Sequence, residues 1–365
     1  MELSSEDLLR LNVLLANDIE AIRIDENSMT LHALARGGEA RVPLNPNCRP
    51  EKYLRLVREL LSSHALGSPG GYPVFLQRWT RMGQARENRL DRLLLLGEPE
   101  AITAVAGSPA LTDELARRVW WALPNADIAR RLLDKPAVAQ GTMGKELGDY
   151  LAEHLAFETD PMLVIATIRL LLQPGLISAE TRERIFRLGT HRNAYHIGFL
   201  EALPDELPDP KPARADLADY RDRLAELSAR GNAPAALLAR LLGSTGQTFL
   251  AVSETQLQHP VDKYTVAKLM DIIGSYFKPA RGTQEAAVLL EAVPELREEI
   301  MSMIELAHTG EPLVTPYIAA STATGTLLRR KLELVLGPLL QQYAVLRGMN
   351  QQSSGPVGYA PGKRR

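Results

Sequence analysis

Two hydrophobic periods alternate along the first 85 residues. Ser4 or Ser5 caps a predicted helix that extends to about Asn17, with leucines at positions 8, 11, 14 and 15 along one face. Apolar and polar residues then alternate over 21–25, 29–35 and 40–44, with turn residues at 36–39, which is the period of strands in a hairpin. A second helix is predicted over 50–63, beginning at Pro50. The pattern predicts a small α+β module with an antiparallel hairpin over residues 1–85.

Short helical periods follow a Gly/Pro cluster at 66–73 and continue to about residue 203. Prolines at 99, 109 and 161 mark predicted helix starts, and Asp160 is a predicted cap. The segment at 111–120 shares its order of residue types with 177–186, an offset of 66 residues. That offset fits two helix-pair units, so we predict a helical-repeat-like domain of the HEAT or TPR type over 86–203. Irregular helical packing is the alternative.

The last third of the chain is also helical in pattern. Four prolines between 204 and 212 predict a stiff, extended linker over 204–214. A C-terminal helical domain is predicted over 215–347, in which the long apolar period at 327–346 is expected to kink or split at Gly337 and Pro338. The Gly-, Gln- and Ser-rich end, 348–365, is predicted to be a disordered tail. The predicted fold class is therefore mainly α, with the small α+β module at the N-terminus.

Composition places the chain among ordinary globular proteins. Hydrophobic residues make up 45% and charged residues 24% of the 365, and 42 basic against 44 acidic residues give a net charge of −2. These values exclude a disordered or collagen-like chain and argue against a bulk polyanion binder. No apolar run approaches the roughly 20 residues of a membrane-spanning helix, and the acidic N-terminus does not resemble a secretory signal. One cysteine suits a reducing compartment, so we expect a cytoplasmic protein.

The motifs that usually carry catalysis are missing from the sequence. GTMGKE at 141–146 lacks the first Gly and the Ser or Thr of a phosphate-binding loop, so we interpret it as a helix N-terminus. His191 and His196 are five residues apart and cannot face one ion from a helix. No metalloprotease, thiol-pair, nucleophile-elbow or dinucleotide-binding motif occurs. We therefore predict no catalytic residues, no bound metal and no cofactor, and hence a protein that is not an enzyme.

Two groups of residues are candidates for an interaction surface. Arg78 and Arg81 flank Trp79 in an arginine-rich stretch that reaches residue 92, and guanidinium groups beside an aromatic ring suit base stacking and phosphate contacts. Solvated structural ion pairs are the alternative. Trp121 lies almost opposite the apolar stripe of its predicted helix, where Arg117 is placed to cover it. A protein-binding surface is the functional interpretation of this second group, and packing between helices is the structural one.

Cys48 is a candidate reactive thiol. It lies in a turn immediately before the predicted second helix and next to Arg49, and both features favour a thiolate. The alternative is a half-buried small residue without chemistry.

Seven stretches of the chain resemble the DsrS family, soluble proteins encoded with the dissimilatory sulfite reductase (Dsr) genes of sulfur-oxidising bacteria. They are RLNVLLAN (10–17), LNPNC (44–48), LGSPGGYPV (66–74), QRWTRMG (77–83), LLLGEPEA (94–101), QPGLIS (173–178) and TGEPLVTP (309–316). The resemblance implies a cytoplasmic accessory or regulatory protein of sulfur oxidation. It implies no catalytic residues, because the family has no established active site.

From these observations we expect a non-catalytic protein that binds proteins of the sulfur-oxidation machinery. The alternatives are a regulator of gene expression that binds nucleic acid through the 78–92 stretch, and a sulfur-handling protein that depends on Cys48. The sequence leaves the oligomeric state open.

Overall fold

The computed structural model describes residues 3–68 and 87–349. Within these residues it contains 20 α-helices, three short 3₁₀ helices and one three-stranded sheet. The prediction of a mainly α fold with a small N-terminal α+β module is confirmed. The predicted Gly/Pro junction beyond residue 68 and the predicted tail beyond residue 349 lie outside the described residues.

The chain divides into two compact units. Unit 1 comprises Met1–Phe157 and Gln173–Ser178, and unit 2 comprises Glu158–Leu172 and Ala179–Arg365. The units therefore differ from the predicted domains, because the α+β module shares a unit with the helices that follow it. The boundary between the units also falls near residue 158 and not at the proline-rich segment.

Unit 1 begins with the predicted α+β module. Its elements are α1 (Ser5–Leu15), β1 (Ile19–Asp25), β2 (Thr30–Ala35), β3 (Gly38–Pro43) and α2 (Pro50–Leu66). The Ser4 side chain accepts a hydrogen bond from the Asp7 N–H, as expected of a helix cap. Ala35 pairs with Gly38, so the hairpin turn consists of only two residues. Gly38 has a φ of 128°, a conformation that favours glycine.

The core of this module lies between its sheet and its two helices. Ile22, Leu31 and Val42 contribute from the three strands, and Leu11 and Val57 contribute from the helices. This arrangement buries the apolar face that the alternating pattern predicts. The sheet is antiparallel in the order β1–β2–β3.

The remaining helices of unit 1 are short. They are α3 (Glu87–Leu93), α4 (Pro99–Ala106), α5 (Asp113–Ala122), α6 (Ala126–Leu133), α7 (Pro136–Ala139) and α8 (Met143–His154), followed by a 3₁₀ helix at Leu155–Phe157. Pro99 starts α4 as predicted, whereas Pro109 lies in a turn. The N-terminal amides of α8 do not face an open anion site. Asp113 accepts hydrogen bonds from the N–H groups of Thr142 (2.8 Å) and Met143 (3.2 Å).

The described residues of unit 2 form helices and connecting segments, without strands. The α-helices are α9 (Pro161–Leu171), α10 (Ala179–Leu188), α11 (Asn193–Ala202), α12 (Leu217–Ala229), α13 (Ala233–Leu242), α14 (Ser244–Gln258), α15 (Lys263–Tyr276), α16 (Thr283–Ala292), α17 (Arg297–Leu306), α18 (Glu311–Ile318), α19 (Gly325–Lys331) and α20 (Glu333–Leu346). Two 3₁₀ helices, Lys278–Arg281 and Pro294–Leu296, connect neighbouring helices. Pro161 starts α9, and the Asp160 side chain caps it as predicted.

Each of the two segments that share a sequence pattern contains a helix. α5 and α10 begin 66 residues apart and have the same length of ten residues. They belong to different units, however. The helical-repeat interpretation therefore stays a prediction.

The proline-rich segment packs within unit 2. Leu207 is buried, and the N–H of Lys211 donates to the Thr248 hydroxyl at 2.9 Å. The half-buried Arg214 guanidinium pairs with Asp216 (2.5 Å) and Glu299 (3.0 Å). The segment lacks helices and strands, as predicted, but these contacts tie it to the helices around it.

The long apolar period near the C-terminus is interrupted earlier than predicted. The break falls at Leu332, between α19 and α20, whereas Pro338 lies inside α20. A proline removes only one helical hydrogen bond, so a helix that is packed on its apolar side tolerates it.

The described helices are short compared with a membrane-spanning helix. In the described residues no single helix is both long and apolar enough to cross a membrane, although α13 and α14 meet those criteria as a pair across a 76° bend.

Candidate functional site

The first candidate group lies outside the part of the chain that the structure describes. Arg78, Trp79 and Arg81 all fall between residues 68 and 87. The nucleic-acid interpretation of this stretch therefore stays a prediction.

Trp121 contacts the sheet of the α+β module. Its indole Nε1–H donates to the Glu39 carboxylate at 2.6 Å, and the Arg23 guanidinium lies over its ring, 4.8 Å from the centroid. Arg23 also donates to the Trp121 carbonyl oxygen at 3.2 Å. The predicted cover by Arg117 is replaced by Arg23, a residue 98 positions away in the sequence. Packing of α5 on the sheet thus accounts for the position of this ring.

Arg117 and its neighbour Arg118 bind carboxylates on two elements. Arg117 contacts Glu20 at 2.6 Å and Glu114 at 2.8 Å, and Arg118 contacts the same two carboxylates at 3.3 and 3.1 Å. Hydrogen bonds from the two arginines lower the pKa of Glu114. Because Glu20 belongs to β1, this network joins α5 to the sheet. The Arg117 guanidinium is therefore paired with one carboxylate on the sheet and one on its own helix.

Cys48 is half-buried immediately before α2. Its side chain packs against the apolar core of the α+β module. The residue that caps α2 is Arg49, not Cys48. The sulfur-handling role of Cys48 stays a prediction.

A row of aromatic rings crosses the surface of unit 1. It consists of Trp120 on α5, Tyr150 and His154 on α8, and Phe157 in the following 3₁₀ helix, and we call it the aromatic row. The Trp120 and Tyr150 rings meet edge to face at 4.8 Å, and Tyr150 stacks on His154 at 3.9 Å. The His154 and Phe157 rings are 6.3 Å apart. Trp120 and Tyr150 are half-buried, whereas His154 and Phe157 are exposed, Phe157 to 80%.

Polar contacts hold the rings in place. The Trp120 indole N–H donates to Glu146 at 2.8 Å, and His154 Nδ1–H donates to the Tyr150 carbonyl oxygen at 2.9 Å. Glu146, Tyr150 and His154 are spaced by four residues, so they lie on one face of α8. The row therefore presents an ordered apolar surface beside a carboxylate.

Acidic side chains dominate α8, the helix that carries Tyr150 and His154 of the aromatic row. α8 contains Glu146, Asp149 and Glu153 but only one lysine, Lys145, whose ammonium pairs with Asp149 at 2.6 Å. Rings and carboxylates together attract cations, because the face of an aromatic ring carries negative charge.

Two of the four rings in the aromatic row, Tyr150 and His154, could be predicted from the sequence to lie together. The spacing of Tyr150 and His154 on a predicted helix is visible in the chain, but we singled out Trp121 rather than Trp120. Trp120 joins the row only because α5 packs beside α8. The exposure of Phe157 depends on where the chain turns after α8.

Among the described residues, no three His, Cys, Asp or Glu side chains are grouped so that they could hold a metal ion. Comparisons with protein-family models, curated proteins and solved structures found no match. The resemblance to the DsrS family therefore rests on the seven sequence stretches alone.

Proposed function

We propose that this protein is a cytoplasmic accessory or regulatory protein of bacterial sulfur oxidation that acts by binding other proteins of the Dsr pathway and not by catalysis. The pathway follows from the seven DsrS-like stretches. The mode of action is supported by one observation, the ordered and exposed aromatic row of unit 1.

Several rings held at a surface suit protein binding. Aromatic residues are enriched in the cores of protein interfaces, and clustered exposed apolar groups mark interaction sites. The hydrogen bonds of Trp120 and His154 fix the rings before a partner arrives, which reduces the entropy lost on binding. Phe157, the most exposed ring, is placed to insert into a partner pocket.

The charge around the row favours a basic partner segment. Glu153 is exposed one helical turn from Tyr150 and next to His154 in the sequence, and Glu146 contacts Trp120. An arginine side chain satisfies both features, because its guanidinium stacks on rings and pairs with carboxylates. We expect the partner to present at least one arginine here.

Site-specific crosslinking tests the proposal. A benzophenone amino acid at position 157 is irradiated in cells growing on reduced sulfur, and the adducts are identified by mass spectrometry. We expect an adduct with a protein encoded with the dissimilatory sulfite reductase genes. The control carries the same group at Leu334 in unit 2, which is similarly exposed at 77%. An identical adduct pattern at both positions, or no Dsr-pathway adduct at 157, contradicts the proposal.

A second variant tests the contribution of charge. Glu153→Gln keeps the shape of the side chain and removes its negative charge. If the partner presents an arginine, we expect Glu153→Gln to lower the yield of the position-157 adduct. In the protein that keeps Glu153, we expect added salt to lower the same yield. A yield that neither change alters contradicts the basic-partner part of the proposal and leaves the interface itself intact.

A further inference from the structure

A cavity of about 430 Å³ opens in unit 2, where the C-terminal ends of α11, α13 and α15 meet. Its size lies in the range of small-molecule sites, roughly 300–1,000 Å³. Its floor is apolar, formed in part by the buried side chains of Leu200 and Ile272. The cavity is independent of the aromatic row, which belongs to unit 1.

The inner wall of the cavity is ordered by hydrogen bonds. The Tyr276 ring stacks on Phe249 at 3.7 Å, and its hydroxyl donates to Asp205 at 2.9 Å. Arg240 donates to the other Asp205 oxygen at 3.0 Å. Burial, followed by the charge of Asp205, raises the pKa of Tyr276, so the hydroxyl stays neutral. These contacts fix the shape of the inner wall.

The rim of the cavity carries one positive and one negative side chain, Lys268 and Asp271, on one face of α15. The Lys268 ammonium uses one of its three N–H groups to bind Glu201 at 2.7 Å. Asp271 uses one oxygen to accept the Glu311 N–H at 2.8 Å. Among the described residues, no protein group hydrogen-bonds to the second Asp271 oxygen or to the Ser275 hydroxyl. Donors and acceptors therefore remain available side by side above an apolar floor.

We infer that this cavity binds a free α-amino acid with an apolar side chain. Lys268 and Asp271 are three residues apart, which places their Cβ atoms about 5–6 Å from each other. An α-amino acid carries its carboxylate and ammonium on one carbon, so the carboxylate reaches Lys268 while the ammonium reaches Asp271 and Ser275. The side chain then covers Leu200 and Ile272 and displaces water from them.

A ligand with one charge fits this rim poorly. A carboxylic acid without an amine brings its carboxylate close to Asp271, and an amine without a carboxylate brings its charge close to Lys268. Either ligand also contacts only one of the two charged rim groups, whereas a zwitterion contacts both. Selectivity for the zwitterion follows from these contacts.

Calorimetric titration of the full chain tests the inference with L-leucine, L-isoleucine, L-valine and L-methionine as probes. Two analogues of leucine serve as matched controls, 4-methylpentanoate without the amine and 3-methylbutylamine without the carboxylate. We expect at least one of the four amino acids to bind. If leucine binds, we expect each of its one-ended analogues to bind at least about tenfold more weakly than leucine. No binding by any of the four, or equal binding by an analogue, overturns the inference.

A pair of variants locates the site. Asp271→Asn keeps the oxygen that accepts the Glu311 N–H and removes the charge, so we expect the affinity to fall about tenfold with little change in melting temperature. Asp222→Asn is the matched control, because Asp222 is exposed on α12 away from the cavity lining. Unchanged affinity in Asp271→Asn, or an equal loss in Asp222→Asn, rules out the proposed site.

Discussion

His196 on α11 is a buried side chain with its ring held from two sides. Its Nδ1 lies 3.1 Å from the Gln256 amide nitrogen, and the ring also hydrogen-bonds to the backbone of Phe186. The Phe186 ring packs against it at 4.6 Å. Because Nδ1 accepts a hydrogen bond from the amide, the imidazole is neutral in this arrangement. Burial lowers the pKa of His196 below its ordinary value of 6.5.

We expect stability to depend on pH through this histidine. Below pH 6.5 the unfolded chain binds a proton on this ring more readily than the folded protein does, so the free energy of unfolding falls as the pH falls from 6.5 toward the folded pKa. Above pH 6.5 the ring is neutral in both states and contributes no pH dependence. His196→Gln cannot titrate and serves as the reference.

Thermal melting by circular dichroism at pH 7.5 and 5.5 checks this expectation. Carboxylates titrate in both proteins, so only the difference in melting temperature between the two proteins reports on His196. The melting temperature of the unsubstituted protein should exceed that of His196→Gln by less at pH 5.5 than at pH 7.5. A difference that is the same at both values contradicts the assignment.

Helices α9 and α11 approach closely at Gly198. A Cβ atom at this position lies 2.8 Å from Ile168 Cβ and 2.9 Å from its Cγ2. Glycine in a helix costs roughly 1 kcal/mol relative to alanine. Its presence here is explained by the helix contact, which leaves no room for a methyl group.

Gly198→Ala should therefore destabilise unit 2 by about 1–3 kcal/mol, in spite of the better helix propensity of alanine. The control is Gly107→Ala at the end of α4, where a Cβ meets no atom closer than 3.6 Å and φ is −80°. That substitution should be neutral or stabilising by up to about 1 kcal/mol. Urea denaturation followed by circular dichroism measures both. Equal effects of the two substitutions contradict the close-packing argument.

At the scale of the whole molecule, the chain enters unit 2 before it has completed unit 1. Residues 173–178 return to unit 1 after α9. Leu176 in this segment is buried, and its Cδ2 lies 3.0 Å from the position of a Cβ on Gly144 of α8. Gln173 donates to the Leu133 carbonyl oxygen at 3.2 Å. The segment supports the helix that carries Tyr150 and His154 of the aromatic row.

Leu176→Ala should destabilise unit 1 by about 2–5 kcal/mol, the usual cost of a cavity in a core. Hydrogen exchange with mass spectrometry reports where the effect falls. We expect faster exchange in α8 and unchanged exchange in α14, which belongs to unit 2. Equal acceleration in both helices contradicts the division into two units.

Elements were easier to predict than their contacts. The strands at 21–25, 29–35 and 40–44 agree with β1, β2 and β3 to within two residues at each end, because alternation of apolar residues is a local property. The Asp160 cap and Pro161 start were predicted for the same reason. The break at Leu332 was missed, because no glycine or proline stands beside it in the sequence, whereas Pro338 lies inside α20.

Partners of the candidate residues were beyond the sequence. Arg117 is one helical turn from Trp121 and was expected to cover it, yet Arg23 does so from the sheet. Likewise Trp120, and not Trp121, meets Tyr150 in the aromatic row. The cavity in unit 2 combines three helices that are separate in the sequence.

By itself the sequence determined the mainly α composition, the hairpin and most helix starts, since these depend on hydrogen bonds and side chains within a few residues of each other. Only the tertiary structure decided the two units, the aromatic row and the cavity. Each of these depends on which apolar faces pack together, and many pairings of short amphipathic helices satisfy the same local pattern.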